Sequence, residues 1–437
     1  MGAAFSIAVV TLVAGCRSAP PSRSERARAE PAHAPTESQR RAALALAEVR
    51  GASRTELQIR ELQRRVRARP DSEDAWLLLG RAWVRRAREA SDPGHYLSAE
   101  ACANELLARA PEQPAARNLL GLVLLNRHDF SAAKALAEAV LARDPRDAMA
   151  WGTLSDAELE LGDFDAAVHA ADRMLEQKPG LPAYSRASYL RFLRGDLDGA
   201  VATIRLAIDA GLDPNDPEPL AWTLVQAAEL FWQQGDYAGA GAGFQQALEV
   251  VPDYPAALAG RGRVALAEGD PARAARLLRR ALEQSPLLET ACWLADALAE
   301  AGDTSGAQQA LERAEREGLR GDARALSLFY STRGKNLARA LELARAERRV
   351  RGDVYTEDAL AWAYYKNGAF ELARQSSDRA VRLGTPDARL AFHRGAILLA
   401  TGEVRRGREL LRETLARHPK FDRSGAAEAR RLLGGGA

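Results

Sequence analysis

Two periods are superimposed in the apolar pattern of this chain. The short one is helical: apolar residues return at i, i+3, i+4 and i+7, so each segment carries one stripe to bury. The long one is clearest from Glu112 to Pro179, where Pro111, Pro145 and Pro179 fall 34 residues apart. Inside the latter of these two 34-residue spans, the third unit of the whole array, Trp151, Leu154 and Ser155 lead to Gly162-Asp163-Phe164 and then to Ala167 and Ala171. Large, small and turn residues in that order predict helix, tight turn, helix. A repeat of this length is one layer of a solenoid, and one layer cannot hide its stripe without neighbours.

The same order of residues returns along the chain from about residue 72 to Pro419. The first unit has Trp76, Leu79, Gly80 and Trp83, with a turn lengthened around Ser91-Asp92-Pro93-Gly94, and the second has Leu120, Gly121, Leu124 and Ala133. The fourth keeps Tyr184, Gly195-Asp196-Leu197 and Ala200 but runs into Asp213-Pro214-Asn215-Asp216-Pro217, a loop signal that predicts a joint between two blocks. Leu224, Ala228, Gly235-Asp236-Tyr237, Ala240 and Pro252 restore the pattern in the fifth, and Pro286 follows 34 residues later. The eighth unit, around Leu326 to Glu347, matches worst. The ninth recovers with Trp362, Gly368-Ala369-Phe370 and Ala373, and the tenth has Gly395, Gly402, Leu411 and Pro419.

These residues resemble the signature of the tetratricopeptide repeat family, W-x₂-L-G-x₂-Y…A-x₃-F…P. The resemblance implies an all-α fold, a right-handed superhelical solenoid of about ten repeats. It also implies a concave groove, lined by the first helix of each repeat, that accepts an extended segment or a helix of a protein or peptide partner. The organisation expected is then a leader at 1–15, a linker at 16–40, capping helices at 41–71 and repeat blocks at 72–212 and 218–419. A last helix and tail at 420–437 close the chain.

Composition changes this picture little. Hydrophobic residues make up 47% and aromatics 6%, as short helices packed through Ala and Leu require. A net charge of +2 from 61 basic and 59 acidic residues argues against nucleic acid, which needs a concentrated positive face. No H-E-x-x-H, P-loop, G-x-S-x-G or Cys/His cluster is present, so no catalytic residue, metal site, cofactor or small-molecule substrate is expected. The Gly239-Ala240-Gly241-Ala242-Gly243 run sits inside a second helix and reads as close packing. Cys102 and Cys292, about five repeats apart, read as small apolar residues.

The start of the chain has a different pattern. An apolar run from Ala3 to Gly15 ends at Cys16; it is too short to span a bilayer and has the length of a signal-peptide core. Val13-Ala14-Gly15-Cys16 resembles the lipobox of bacterial lipoproteins, which implies cleavage after Gly15 and lipidation of Cys16. Arg17 after the cysteine resembles the outer-membrane class under the enteric sorting rule. The expected place is therefore the bacterial cell envelope, lipid-anchored and facing the periplasm. Two alternatives stay open: Met1-Gly2-Ala3-Ala4-Phe5-Ser6 fits an N-myristoylation pattern, and the apolar start could be uncleaved. The Pro, Ala, Arg and Ser-rich stretch that follows reads as a spacer of about 25–30 Å.

Groove candidates follow from the family register, one, five and eight positions after the Trp76 slot. They are Tyr189, Phe192, Glu229 and Trp232 in the fourth and fifth units and Trp362, Tyr365 and Phe392 in the ninth and tenth. Aromatics there either meet a partner, as interface Trp and Tyr do, or pack on the next repeat. The sequence thus points to a membrane-anchored scaffold or adaptor for protein–protein interaction. The alternative is an accessory lipoprotein of pilus, secretion or exopolysaccharide assembly, and a distant one is an enzyme.

Overall fold

The computed structural model describes residues 36–434 apart from 91, 212, 214, 215 and 319–321. The leader, the Cys16 motif and most of the linker lie outside the described residues. Those described form helices and no strand.

Helices α1 (Glu37–Ala45) and α2 (Arg54–Ala68) come first and pack on the first repeat, α1 against α4 and α2 against α3. The repeats are α3 (Glu73–Ala90) with α4 (His95–Arg109), α5 (Pro114–Asn126) with α6 (Phe130–Leu141), and α7 (Ala148–Leu161) with α8 (Phe164–Gln177). Next stand α9 (Leu181–Leu193) with α10 (Leu197–Ala210), α11 (Glu218–Gln234) with α12 (Tyr237–Val250), and α13 (Pro255–Glu268) with α14 (Pro271–Gln284). Then follow α15 (Leu288–Glu300) with α16 (Thr304–Gly318) and α17 (Ala323–Arg333) with α18 (Leu337–Arg348). The last are α19 (Val354–Lys366) with α20 (Phe370–Ala380), α21 (Ala388–Ala400) with α22 (Val404–Arg417), and the closing α23 (Arg423–Gly434).

Local chemistry sets the turn inside each repeat. Gly162 ends α7 with φ 97°, a left-handed conformation that glycine adopts without steric cost, and Asp163 then caps α8 by accepting from the Ala166 N–H at 3.0 Å. Asp196, Asp236, Asp270 and Asp303 accept in the same way from the N–H three residues on. The second repeat departs from this: His128 takes the left-handed slot at φ 60°.

Where the two helices of a repeat cross, both backbones carry small residues. Ala133, Ala167, Ala200, Ala240, Ala274 and Ala340 on the second helices are fully buried. Facing them stand Ser155, Ser188 and Ser327, whose hydroxyls donate to the carbonyls of Ala167, Ala200 and Ala340 at 2.9, 2.7 and 2.8 Å. In α13 and α21 the facing residue is Gly262 or Gly395; a β-carbon there would meet Leu278 at 2.6 Å or Leu411 at 2.7 Å.

The apolar core passes the loop at 213–217 through Ile208, which packs on the clusters to both sides of it. More unexpectedly, the superhelix coils onto itself. The Gly352 N–H donates to the Glu160 carbonyl at 2.7 Å, and the Thr385 hydroxyl donates to the Leu193 carbonyl at 2.7 Å. Tyr237 Oη meets His418 Nδ1 at 3.0 Å, and Arg351 Nε donates to Glu160 at 2.8 Å. These partners stand 181 to 192 residues apart, so successive superhelical turns touch after roughly five to six repeats. Arg351, buried, is the hub: its Nη2 lies 2.6 Å from Glu160, its Nη1 3.1 Å from Glu347, and its guanidinium 5.3 Å from the Phe130 ring.

Candidate functional site

The first helices share a register that defines one wall. Taking Ser155, Ser188, Ala228, Ala295, Ala361 and Gly395 as the crossing slot, the residue after it and the one six before it lie seven apart, on one face. In α7 these are Met149 and Asp156, in α9 Pro182 and Tyr189, in α11 Trp222 and Glu229. In α15 they are Glu289 and Asp296, in α19 Tyr355 and Trp362, in α21 Arg389 and Ala396.

Contacts between distant repeats show that this face turns inward. Arg389 of α21 lies 3.9 Å from Glu289 of α15. Burial pushes the Tyr189 and Tyr355 phenols well above their ordinary value, and each lies within reach of Asp353 and Asp387. Yet Tyr189 is 40% exposed, so the ring is crowded by its neighbours without being sealed in a core.

The wall combines ion pairs with a few open apolar side chains. Arg186 grips Asp156 through two bonds of 2.8 and 2.6 Å; burial would lower the guanidinium, and the Asp156 charge more than offsets it. Glu229 pairs with Arg263, and Arg324 with Asp353 at 3.2 Å. Met149 at 41%, Trp222 at 42% and Tyr189 are the large apolar residues this face leaves open. Paired charges keep the wall hydrated, and the open side chains offer area to a partner.

The groove candidates divide accordingly. Tyr189 stays partly exposed with its ring against Phe192 at 6.3 Å, and Glu229 is half-buried in its ion pair. Phe192, Trp232, Trp362 and Phe392 are buried, and Tyr365 is partly so. Trp232 is boxed by His418 at 5.0 Å, Trp293 at 6.1 Å and the Arg263 guanidinium at 5.0 Å. Trp362 stacks on His393 at 4.0 Å and Tyr365 at 4.8 Å, with Lys366 Nζ 4.5 Å from its centroid. These four rings therefore hold repeats and turns together and present no surface to a partner here. The reason is the coiling: His418, from the far end of the array, covers Trp232, and the next first helix covers Trp362.

Sequence reasoning missed Met149, Trp222, Tyr355 and Arg389, all six residues before the crossing slot. Their signal was present, seven residues upstream of Asp156, Glu229, Trp362 and Ala396. Among the described residues no group of three or more His, Cys, Asp or Glu side chains is placed to hold a metal ion. Burial pushes the Cys102 thiol up strongly and the Cys292 thiol to about 12, which leaves both as packing residues at neutral pH.

Stacked helical pairs with a mixed polar and apolar inner wall define a helical-repeat scaffold for protein interaction. The chain belongs to the tetratricopeptide repeat family. One tetratricopeptide repeat profile matches residues 84–127, 121–182, 225–288 and 359–420, more than half of the chain, and a second matches 265–328. No curated protein sequence matches it. Among solved structures it is similar to PilW, described as a widely conserved type IV pilus biogenesis factor, at 18% identity and TM-score 0.39, covering 47% of this chain and 92% of that one. The corresponding figures for PilF of Pseudomonas aeruginosa are 15%, 0.40, 49% and 93%. For the human IFIT1 dimer with PPP-AAAA they are 14%, 0.48, 75% and 78%. These likenesses are of fold alone.

Proposed function

We propose that this protein is a lipid-anchored scaffold of the bacterial cell envelope that holds a polypeptide segment along the inner wall of its solenoid. The observation that supports the reading is the exposure of Met149, Tyr189 and Trp222 on a face whose charges are already paired. A segment laid there gains apolar contact without stripping an unpaired charge of water. The anchor rests on Val13-Ala14-Gly15-Cys16 in the sequence.

Two experiments test the two parts. Tyr189→Ala combined with Trp222→Ala is expected to weaken a cross-linked and identified partner by ~2 kcal/mol or more. Its melting profile should stay close to that of the parent, because each side chain is about two-fifths exposed and neither is enclosed in the core. Unchanged affinity would remove the inner wall as the binding surface. Cys16→Ser is expected to leave an unprocessed precursor, and mature membrane-bound protein from that variant would remove the lipid anchor.

A further inference from the structure

A furrow lies over the last repeat, between the 381–387 connection that follows α20 and the length of α22, with α21 as its floor and Gln233 from the preceding superhelical turn at one end. Its volume is about 490 Å³, within the range of small-ligand sites. Ala391, Leu398 and Leu410 give it an apolar lining, and Arg394 lies in the floor.

Arg394 is 5% exposed, and its bonding is incomplete. Nη2 lies 2.5 Å from Asp378, whereas Nη1 is buried without any hydrogen-bond partner. Its surroundings are short of negative charge. Arg374 shares Asp378 at 3.8 Å and also pairs with Glu403, and Arg406 lies 3.5 Å from the same Glu403. Three guanidinium groups thus divide two carboxylates. Burial, reinforced by Arg374 and Arg406, outweighs the Asp378 charge and pulls Arg394 below the usual arginine range, as expected for a buried cation that shares its one counter-charge. Three other carboxylates line the furrow: Asp387 is occupied in capping α21, where it accepts from the Arg389 and Leu390 N–H groups, and Glu409 and Glu413 are exposed, where solvent and salt screen them.

We infer that this furrow is a binding site for a small organic anion, a carboxylate or phosphate group carried on an apolar body. The anion completes Arg394 and the body lies along Ala391, Leu398 and Leu410. This site uses none of Met149, Tyr189 and Trp222 and does not depend on the inner-wall reading.

Calorimetric titration of the full chain with hexanoate and phenyl phosphate tests it, with acetate and inorganic phosphate as head-group controls. The two probes with apolar bodies are expected to bind at least ~10-fold more tightly than their controls. Arg394→Gln should weaken that binding at least ~10-fold, since a charge-assisted bond is lost. Ala391→Trp, which fills the furrow and leaves every charge in place, should abolish it and serves also if Arg394→Gln folds poorly. Preference for hexanoate or for phenyl phosphate assigns the head group as carboxylate or phosphate. The inference is overturned if none of the four anions binds saturably. It is equally overturned if the controls bind as well as the probes, or if Ala391→Trp binds like the parent.

Discussion

Trp232 shows how much a single side chain's role depends on what covers it. Its slot faces the groove in the family register, yet at 3% exposure it is a core residue that joins the fifth repeat to the end of the array. Trp232→Ala is therefore expected to destabilise the fold by ~3–5 kcal/mol, the range for emptying a large buried aromatic site, as read by denaturant unfolding. A variant as stable as the parent would mean that the ring is not enclosed in solution. His418, beside it, carries a pH dependence. Burial depresses its pKa to about 4, so the imidazole is buried neutral; the stability this represents is present above about 6.5 and is lost as pH falls toward 4. Asp296 works in the opposite direction, because burial raises its carboxyl to about 6 and the corresponding stability is lost as pH rises from about 4 to 6. The two offset one another in the same window, so only a comparison isolates the histidine. The stability difference between the parent and His418→Phe should fall by up to ~3 kcal/mol from pH 6.5 to pH 4. A pH-independent difference would show that His418 titrates normally.

At the scale of the element, the turn between the two helices of a repeat serves two purposes that a pair of glycines separates. Gly235 and Gly269 occupy the same slot with φ 78° and 88°. A β-carbon on Gly235 would lie 2.3 Å from the Arg417 carbonyl oxygen of the next superhelical turn, whereas one on Gly269 meets nothing within 4 Å. Gly269→Ala should cost the ~1–2 kcal/mol of a left-handed alanine, and Gly235→Ala distinctly more, since backbone must also move. Equal losses in chemical denaturation would show that the turns do not touch at this point. The element-level features were largely legible: the Gly-Asp pairs, the small crossing slots and the prolines between repeats each act within one unit, so each leaves a mark at fixed spacing. His128 in the left-handed slot was not legible, because nothing in a histidine announces that conformation.

For the whole molecule, contacts between turns bear on how the array unfolds. An ordinary solenoid is nearly one-dimensional, and a loop such as that at 213–217 is a natural place for its blocks to separate. Here Ile208 carries the core past the loop, and the bonds from Arg351 and Gly352 to Glu160 tie a repeat before it to one after it. The parent chain is expected to unfold in one cooperative transition. Arg351→Met leaves Glu160 and Glu347 without their shared cation, which should cost ~3–5 kcal/mol and split that transition in two. Hydrogen exchange resolved along the chain would read it. If the parent already shows two transitions divided near residue 213, the ties between turns are too weak to couple the blocks.

The sequence by itself determined the helices, their pairing into 34-residue units and the residues at which each unit turns and crosses, because all of these are settled by chemistry within a few dozen residues. Only the tertiary structure decided which of the candidate aromatic residues stay exposed, where the chain meets itself some 181 to 192 residues on, and that Arg394 Nη1 is buried without a hydrogen-bond partner. Those outcomes come from small rotations between neighbouring repeats, summed over a full superhelical turn, and no single repeat carries that sum in its own residues.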